Sequence, residues 1–365
     1  MIVTYIHSTC PEDELRVRLR CRNFSDAINR VGWHSASLLD LDAFVRNTSQ
    51  AQRVCAASDL LVIHRYLHGS VFEAIEYWKA RDKKVVVDFD QAIDRLTPDD
   101  PAYSFWSNGA PLERRAAGGQ QSRISSTPLE QFKWGLGMVD AAIVSSARLA
   151  VDWSQYTDVY EIPDYLNTDQ YPGARQSHED EIWIGMADGA GRAGMEDSGI
   201  LRALGNVCRK RPRVKLVTRR TGKRERELFP DVPASRQVNY SPNSFEEWVG
   251  ILCKLDVGIQ PIGSDYDLRL GRSNLLEFMI SKTPWLASSQ PTLRELARYG
   301  RLVQNSPEAW ESAILRAVDN IAALQKRAAG EPFLFALSQD IHENIDKVLK
   351  LFARILDQRK RSGAG

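Results

Sequence analysis

The chain has 365 residues, of which 43% are hydrophobic and 26% are charged. This length predicts one very large domain or two ordinary ones, and this composition predicts a globular protein with sizeable buried cores. The formal net charge of +1 provides no general electrostatic basis for nucleic-acid binding.

The cysteine pattern and the first residues bear on the compartment. Five cysteines lie far apart with no CxxC spacing, which indicates reduced thiols instead of disulfides or a zinc site. The segment Met1–Ile6 is typical of a strand and lacks the basic start of a signal peptide. No run approaches the roughly 18 apolar residues of a membrane span. We therefore expect a cytoplasmic protein whose contact with a membrane, if it has any, is peripheral.

Short β-branched runs alternate with longer helical stretches in the first half of the chain. The predicted strands are Ile2–Ile6, Ser35–Leu39, Leu60–Ile63, Val85–Phe89, Ala141–Ser145 and Val159–Ile162. The predicted helices are Glu14–Arg30, Ala43–Ala57, Val71–Ala80 and Leu129–Val139. This alternation predicts a parallel sheet with crossover helices. The segment Pro98–Ser126 is rich in Gly, Pro and Ser and is predicted to be a long loop of the kind that forms lids or binding loops.

The second half repeats the same alternation after a polar, proline-containing linker at Pro163–Glu181. Its predicted strands are Ile182–Met186, Val214–Thr218, Arg236–Tyr240, Asp256–Gln260, Pro284–Ala287 and Arg301–Val303. Its predicted helices are Ser198–Arg209, Ser244–Lys254, Asn274–Ile280, Pro307–Ala328 and, last, Ser338–Gln358. The chain therefore reads as an α/β protein of two Rossmann-like domains. We predict domains at residues 1–165 and 166–335, with a C-terminal helical segment at 336–365.

The most informative stretch is Leu268-Arg-Leu-Gly-Arg-Ser-Asn-Leu-Leu-Glu277, which follows a predicted strand. Cations and helix N-terminal amides suit a diphosphate, and a carboxylate suits sugar or ribose hydroxyls. Arg272, Ser273, Asn274 and Glu277 are thus candidates for binding a sugar nucleotide. Two plainer interpretations remain open: Arg272 is an ordinary surface arginine, and Glu277 completes a capping box with Asn274.

Polar residues also end two strands of the first predicted sheet. Asp88 and Asp90 follow one strand and His64 follows another, at the edge where ligands bind in open α/β folds. The D-x-D spacing allows a metal site, but Asp90 could instead act as a base or orienting group, or simply cap the next segment. His64 could contact an acceptor or serve in catalysis, or it could be a structural histidine.

A rival interpretation comes from the glycines between Gly189 and Gly194, which match G-x-G-x-x-G after a strand. With Arg219 at the end of the next strand, this pattern is also found in NADP-dependent oxidoreductases. We expect the following helix to start only at Asp197 or Ser198, beyond the glycines, which disfavours a dinucleotide site. The same loop amides could face a sugar-nucleotide donor.

Several of these segments together resemble GT-B glycosyltransferases, particularly the family-four group. The similar stretches are Asp59–Arg65, Val85–Asp90, Asp140–Ser146, Val159–Asn167, Ile184–Gly189, Asp256–Pro261, Asn274–Glu277 and Thr283–Ser288. Two features depart from the family pattern. Arg269 stands where the first glutamate of the family's paired-acid motif is expected, and no clear Arg and Lys pair follows the first strand of the second domain.

The resemblance implies two Rossmann-like domains facing a cleft, with the last helix packing back on the first domain. It implies transfer of a sugar from a nucleotide-sugar donor, with retention, without a metal and without a further cofactor. The donor-binding candidates are Arg272, Ser273, Asn274, Glu277, Gly189, Arg192 and Arg219. The first domain carries the catalytic candidates Asp90 and His64 and the acceptor-binding candidates Arg20, Asp88 and Trp106.

The acceptor is left open among saccharides, lipid-linked intermediates, proteins, small molecules and modified nucleobases. A second class of function is also compatible with the sequence: a GT-B protein that binds a sugar nucleotide without catalysing transfer. Arg269 in place of the first acid favours this alternative.

Overall fold

The computed structural model describes residues 1–10, 13–98, 100, 102–108, 113–115, 121–123, 126–171, 175–176, 178–186, 192–219, 229–240 and 244–358. The chain divides into two compact units. Unit 1 comprises Met1–Tyr165, Arg269–Gly271 and Ile341–Gly365, and unit 2 comprises Leu166–Leu268 and Arg272–Asp340.

Unit 1 is built on one parallel sheet. Its strands are β1 (Ile2–His7), β2 (Ser35–Asp40), β3 (Leu60–His64), β4 (Lys84–Phe89), β7 (Ala141–Val144) and β8 (Val159–Glu161), while β5 (Glu113–Arg115) and β6 (Gln121–Arg123) form a separate antiparallel pair. The six sheet strands lie in the order β2-β1-β3-β4-β7-β8. Every residue of β3 and β7 is buried, which explains their uninterrupted apolar sequences.

Helices connect these strands. They are α1 (Glu14–Val17), a π-helix (Arg18–Arg22), α2 (Asn23–Val31), α3 (Leu41–Val45), α4 (Ser49–Ala57), α5 (Val71–Lys79), α6 (Tyr103–Asn108), α7 (Pro128–Leu136) and α8 (Ala147–Trp153). The helix predicted over Ala43–Ala57 is interrupted because Asn47 adopts a left-handed conformation with φ of 49°. The segment Pro98–Ser126 is not a plain loop, since α6, β5 and β6 lie within it.

Unit 2 repeats the architecture with a different strand order. Its strands are β9 (Ile182–Met186), β10 (Val214–Arg219), β11 (Gln237–Tyr240), β12 (Val257–Gln260), β13 (Trp285–Ser288) and β14 (Arg301–Val303). They pair in parallel in the order β11-β10-β9-β12-β13-β14. Its helices are α9 (Arg192–Ser198), α10 (Ile200–Lys210), α11 (Phe245–Leu252), α12 (Ser273–Ile280), α13 (Pro307–Asp319), α14 (Ile321–Ala328) and α15 (Glu331–Leu337).

The last helix, α16 (Ile341–Asp357), belongs to the core of unit 1. Ile345 and Phe352 on its apolar face are buried in one cluster with Val3 of β1 and Phe24 of α2. Burying each such side chain contributes about 1.5–3 kcal/mol, so the helix is a large part of what stabilises this unit. Among the described residues, no helix combines the length and apolar character needed to cross a bilayer.

Candidate functional site

The strand orders locate one candidate edge in each unit. In unit 1 the direction of strand addition reverses between β1 and β3, and in unit 2 it reverses between β9 and β12. Open α/β folds bind ligands beyond the carboxyl ends of the strands at such switch points. His7 and His64 end the two strands at the switch point of unit 1, and the loop that starts at Pro261 follows β12 in unit 2.

Arg20 and Asp88 form a buried ion pair at the edge of unit 1. The guanidinium of Arg20 donates from Nε to Asp88 Oδ1 at 2.9 Å and from Nη2 to Asp88 Oδ2 at 2.7 Å. Its Nη1 donates to the carbonyl of Ile162 at 2.8 Å and to Asp164 Oδ1 at 3.3 Å. The side chain of Arg20 is fully buried. We therefore correct the prediction that Arg20 and Asp88 contact the acceptor, because they already bind each other away from solvent.

The π-helix presents Arg20 at this position. Burial lowers the pKa of Arg20, but the charges of Asp88 and Asp164 outweigh it, so the pKa lies above its ordinary value. For Asp164 burial dominates instead and raises the pKa to about 6, against the lowering effect of Arg20. The arginine therefore stays charged and holds three chain segments together. Because both carboxylate oxygens of Asp88 already accept from Arg20, we do not expect Asp88 and Asp90 to form a metal site.

Asp90 also has an arginine partner. Arg16 of α1 donates from Nη1 to Asp90 Oδ2 at 2.5 Å. Burial alone would raise the pKa of Asp90, but the charges of Arg16 and Arg65 lower it to about 2. A carboxylate with so low a pKa is a weak proton acceptor near neutral pH. This geometry argues against the prediction that Asp90 acts as the base, and it favours an electrostatic role.

His64 is buried at the end of β3. Neither of its ring nitrogens has a hydrogen-bond partner among the described residues. Burial, followed by the charge of Arg65, lowers the pKa of His64 well below its usual value. The imidazole is therefore neutral at physiological pH. Because buried polar groups are normally paired, such a side chain at a ligand-binding edge remains a functional candidate.

Sequence analysis did not predict the hydrogen bonds beside His64 that join Arg65 and Tyr66 to Asp13. Arg65 adopts a left-handed conformation with φ of 67°, which is uncommon for a residue with a side chain. Its Nη1 donates to Asp13 Oδ1 at 2.5 Å, and the hydroxyl of Tyr66 donates to Asp13 Oδ2 at 2.7 Å. The segment after β1 is thus tied to the end of β3. Local backbone strain of this kind is concentrated at functional sites.

Trp106 is not an exposed stacking platform. Its side chain is buried, it stacks on Tyr66 with ring centroids 5.9 Å apart, and it meets Phe132 edge to face. A sugar cannot stack on a ring that the core already covers. We therefore correct the prediction that Trp106 binds the acceptor.

In unit 2, Glu277 lies in the second turn of α12 and is buried. Its Oε1 accepts from the hydroxyl of Tyr171 at 2.9 Å, and its Oε2 accepts from Nε1 of Trp248 at 3.2 Å. The capping-box interpretation is wrong, because α12 begins at Ser273 with Arg272 as its N-cap residue. Instead, two neutral donors hold the carboxylate in place near the start of the helix.

Arg272 contacts two neighbours within unit 2. Its Nη1 donates to Glu295 Oε1 at 2.7 Å and its Nη2 donates to Gln339 Oε1 at 2.9 Å. The side chain of Glu295 is 65% exposed, so this ion pair is a surface pair that a ligand could replace. Ser273 and Asn274 lie in the first turn of α12, where backbone amides have no acceptor inside the helix and form the positive end of its dipole.

The loop that leads into α12 is fixed by hydrogen bonds to the neighbouring strands. The amide of Ile262 donates to Ser288 Oγ at 2.8 Å, and Asn305 Nδ2 donates to the carbonyl of Ile262 at 2.8 Å. Asp267 accepts from the amide of Ser264 at 3.1 Å. These hydrogen bonds hold the loop in a defined conformation at the switch point of unit 2.

The glycine-containing loop after β9 lies partly outside the described residues. Gly189 lies outside the described residues, and the side chains of Arg192 and Arg219 are likewise not described. The helix after this loop begins at Arg192, not at Asp197 or Ser198 as predicted. The argument against a dinucleotide site that rested on a late helix start is therefore lost.

Arg269, which replaces the expected first acid, is buried in unit 1. Its guanidinium forms an ion pair with Asp152 of α8, and its backbone carbonyl accepts from Ser146 Oγ at 2.8 Å. This position therefore carries a buried, paired positive charge in place of the expected acid.

Comparisons with known proteins agree on the fold. No protein-family model matches the sequence, and no curated protein matches it. Sucrose-phosphate synthase from Thermosynechococcus elongatus has a similar structure, with a TM-score of 0.61 at 12% identity over 97% of this chain and 99% of that one. A protein from Listeria monocytogenes described as a UDP-N-acetylglucosamine 2-epimerase has a TM-score of 0.52 at 14% identity over 95% and 94%.

A third similar structure is that of a single-residue mutant of TarM from S. aureus, in a complex with Fondaparinux, alpha-GlcNAc-glycerol and UDP. Its TM-score is 0.52 at 12% identity, over 82% of this chain and 55% of the TarM chain. These proteins have the GT-B fold, with two Rossmann-like domains. The chain therefore has this fold too, which confirms the predicted fold class. Likeness at 12–14% identity establishes the fold alone.

Proposed function

We propose that this protein is a glycosyltransferase that moves a sugar from a nucleotide-sugar donor to an acceptor hydroxyl. The observation that carries the proposal is the buried carboxylate of Glu277, held by Tyr171 and Trp248 beside the start of α12. A rigid carboxylate suits two neighbouring hydroxyls of a ribose or a sugar, and the adjoining helix start suits a diphosphate.

In this proposal the departing diphosphate lies at the first turn of α12. Ser273 and Asn274 supply amides and side-chain donors, and Arg272 supplies a guanidinium once it exchanges Glu295 for phosphate oxygens. Arg192 and Arg219, whose backbones are at the same edge of the sheet, are proposed as further donor cations together with the amide of Gly189. Stabilising the leaving group in this way lowers the barrier because negative charge develops there.

On the acceptor side we propose His64 as the catalytic candidate. A neutral imidazole can accept a hydrogen bond from the acceptor hydroxyl, and Asp90 and Arg16 set the local field around it. Retention of configuration and a course without a metal are carried over from the family-four resemblance as part of the proposal. A cytoplasmic location is likewise proposed.

The donor is tested by thermal unfolding of the purified protein with UDP-, GDP-, ADP- and CMP-sugars, and with NADP(H). A ligand at 100 times its Kd adds about 2.7 kcal/mol of stability, which such a melt resolves. We expect one sugar-nucleotide class to stabilise the protein, and Arg272→Ala and Glu277→Gln to abolish the effect. Arg213→Ala and Glu308→Gln change exposed residues of the same unit and are the matched controls.

Turnover is tested with the donor identified in this way. We expect His64→Ala to lower kcat while the donor still stabilises the protein. Stabilisation by NADP(H) alone would contradict the proposal and favour an oxidoreductase.

A second candidate function is donor binding without transfer. The observation that favours it is the ion pair between Arg269 and Asp152, because the expected first acid has been exchanged for a partnered cation. Donor binding with neither transfer nor hydrolysis in the wild type would support this second function. Conversion of the donor sugar to its epimer, followed by NMR, would instead support an activity like that of the epimerases with this fold.

A further inference from the structure

Unit 1 has a cavity of about 470 Å³. It lies between the segment that follows β4 and the helices α7 and α8. Its walls include Asp94, Arg95, Lys133, Asp152, Trp153 and Tyr156. This volume falls within the range of small-molecule sites, about 300–1,000 Å³, and is large enough for one or two sugar rings.

Four charged side chains line the cavity, two acids and two bases. Asp94 is paired with Arg95 through Oδ2 and Nε at 3.2 Å, and Asp152 is paired with Arg269. Lys133 of α7 has no ion-pair or hydrogen-bond partner in the described part of the chain. Lys133 is therefore the lining cation that can pair with one anionic group of a ligand.

The walls also offer an apolar face. The side chain of Tyr156 is 36% exposed and packs at an angle on the buried ring of Trp153, with centroids 5.6 Å apart. Val151 beside it is 71% exposed. Among the described residues, Oδ1 of Asp94 and Nε1 of Trp153 are buried and lack hydrogen-bond partners. The apolar surface of Tyr156 and Val151 is therefore what this wall offers to a ligand, because the two buried polar atoms have no exposed surface.

We propose that this cavity binds an anionic saccharide, that is, a sugar carrying one phosphate or carboxylate group. Lys133 contacts the anionic group, and Tyr156 lies against the apolar face of the ring. The inference rests on the proposed function in one respect, because it names the class of acceptor. The binding itself requires no donor.

The test measures binding by calorimetry without any nucleotide sugar. The probes are glucose 6-phosphate, mannose 6-phosphate and glucuronate as anionic sugars, glucose as the neutral sugar, and inorganic phosphate as the bare anion. We expect at least one anionic sugar to bind roughly tenfold more tightly than glucose, since a charge-assisted hydrogen bond of this kind is worth about one factor of ten.

Variants show whether the binding occurs at this cavity. Lys133→Gln should remove the preference for the anionic sugar and leave the affinity for glucose unchanged, whereas Tyr156→Ala should weaken the binding of all the sugars. Lys347→Gln on α16 is the matched control and should change nothing. Melting curves without ligand check that each variant is folded.

Three results would overturn the inference. They are no binding of any anionic sugar, inorganic phosphate binding as tightly as the sugar phosphates, and an unchanged sugar preference in Lys133→Gln. Because the donor is measured separately through Arg272 and Glu277, failure here is distinguishable from failure of the proposed glycosyltransferase function.

Discussion

Ion pairs decide what the predicted site residues can do. Arg20 and Asp88 are separated by 68 positions in the sequence, and Arg16 and Asp90 by 74, yet each pair is in direct contact. The local sequence pattern predicts which polar residues lie at strand ends, because the strand ends follow from the alternation of strands and helices. It does not supply the partners, because pairing depends on which helix packs over which strand. Trp106 could not be assigned for the same reason, since its burial depends on Tyr66 and Phe132.

The pair between Arg272 and Glu295 leads to a prediction about donor affinity. If Arg272 binds the donor phosphates, Glu295 competes with them, and Glu295→Gln should tighten donor binding about two- to fivefold. An exposed ion pair is worth about 0.2–1 kcal/mol, which sets this size. Titration calorimetry with the donor measures the change. Unchanged or weaker binding in Glu295→Gln would remove Arg272 from the donor site.

His68 leads to a prediction about pH. Burial lowers the pKa of His68 from 6.5 to about 4. Between these values the unfolded chain binds the proton and the folded protein does not, so stability falls as the pH falls. Between pH 7 and pH 5 the wild type should therefore lose about 2 kcal/mol more than His68→Gln.

Urea denaturation of both proteins at the two pH values measures this difference. The packing lost in His68→Gln is the same at both pH values and cancels. Equal losses in the two proteins would show that His68 makes no such contribution.

At the scale of elements, the alternation of strands and helices was predicted well, but the breaks and starts of helices were predicted poorly. All twelve strands of the two sheets were predicted within one or two residues, because strands buried on both faces are continuous apolar runs. The helix predicted over Ala43–Ala57 is two helices, since apolar periodicity continues through the turn at Asn47. The start of α9 was missed because the helix includes Gly194, whereas the prediction placed its start after the glycines.

The break between α3 and α4 can be tested at its cap. Thr48 Oγ1 accepts from the amide of Ala51 at 3.3 Å and caps α4. Thr48→Ala should lower the free energy of unfolding by about 1 kcal/mol, whereas Thr48→Ser keeps the acceptor and should cost only a small part of that. Thermal denaturation of the two variants decides. Equal losses would mean that the methyl group, not the cap, carries the effect.

At the scale of the whole molecule, two separate cores predict a divided response to core substitutions. Phe352 of α16 is buried in the core of unit 1, and Phe278 of α12 is buried in unit 2. Phe352→Ala should cost about 3–5 kcal/mol and speed hydrogen exchange in β1, β3 and β4. Phe278→Ala is the matched change and should speed exchange in β12 and β13 instead.

Exchange measured by mass spectrometry on peptides from both units distinguishes these patterns. Faster exchange throughout the chain in either variant would show that the two cores open together as one cooperative body.

The position of α16 also has a consequence during synthesis. The core of unit 1 joins β1, near the start of the chain, to a helix that begins only at Ile341. All of unit 2 is translated between Tyr165 and that helix. At about 5–20 residues per second, the ribosome needs roughly ten to thirty seconds to bridge this gap. For that interval the apolar surface that awaits α16 is uncovered on the nascent chain, so early unit 1 is a client for chaperones that recognise such surfaces.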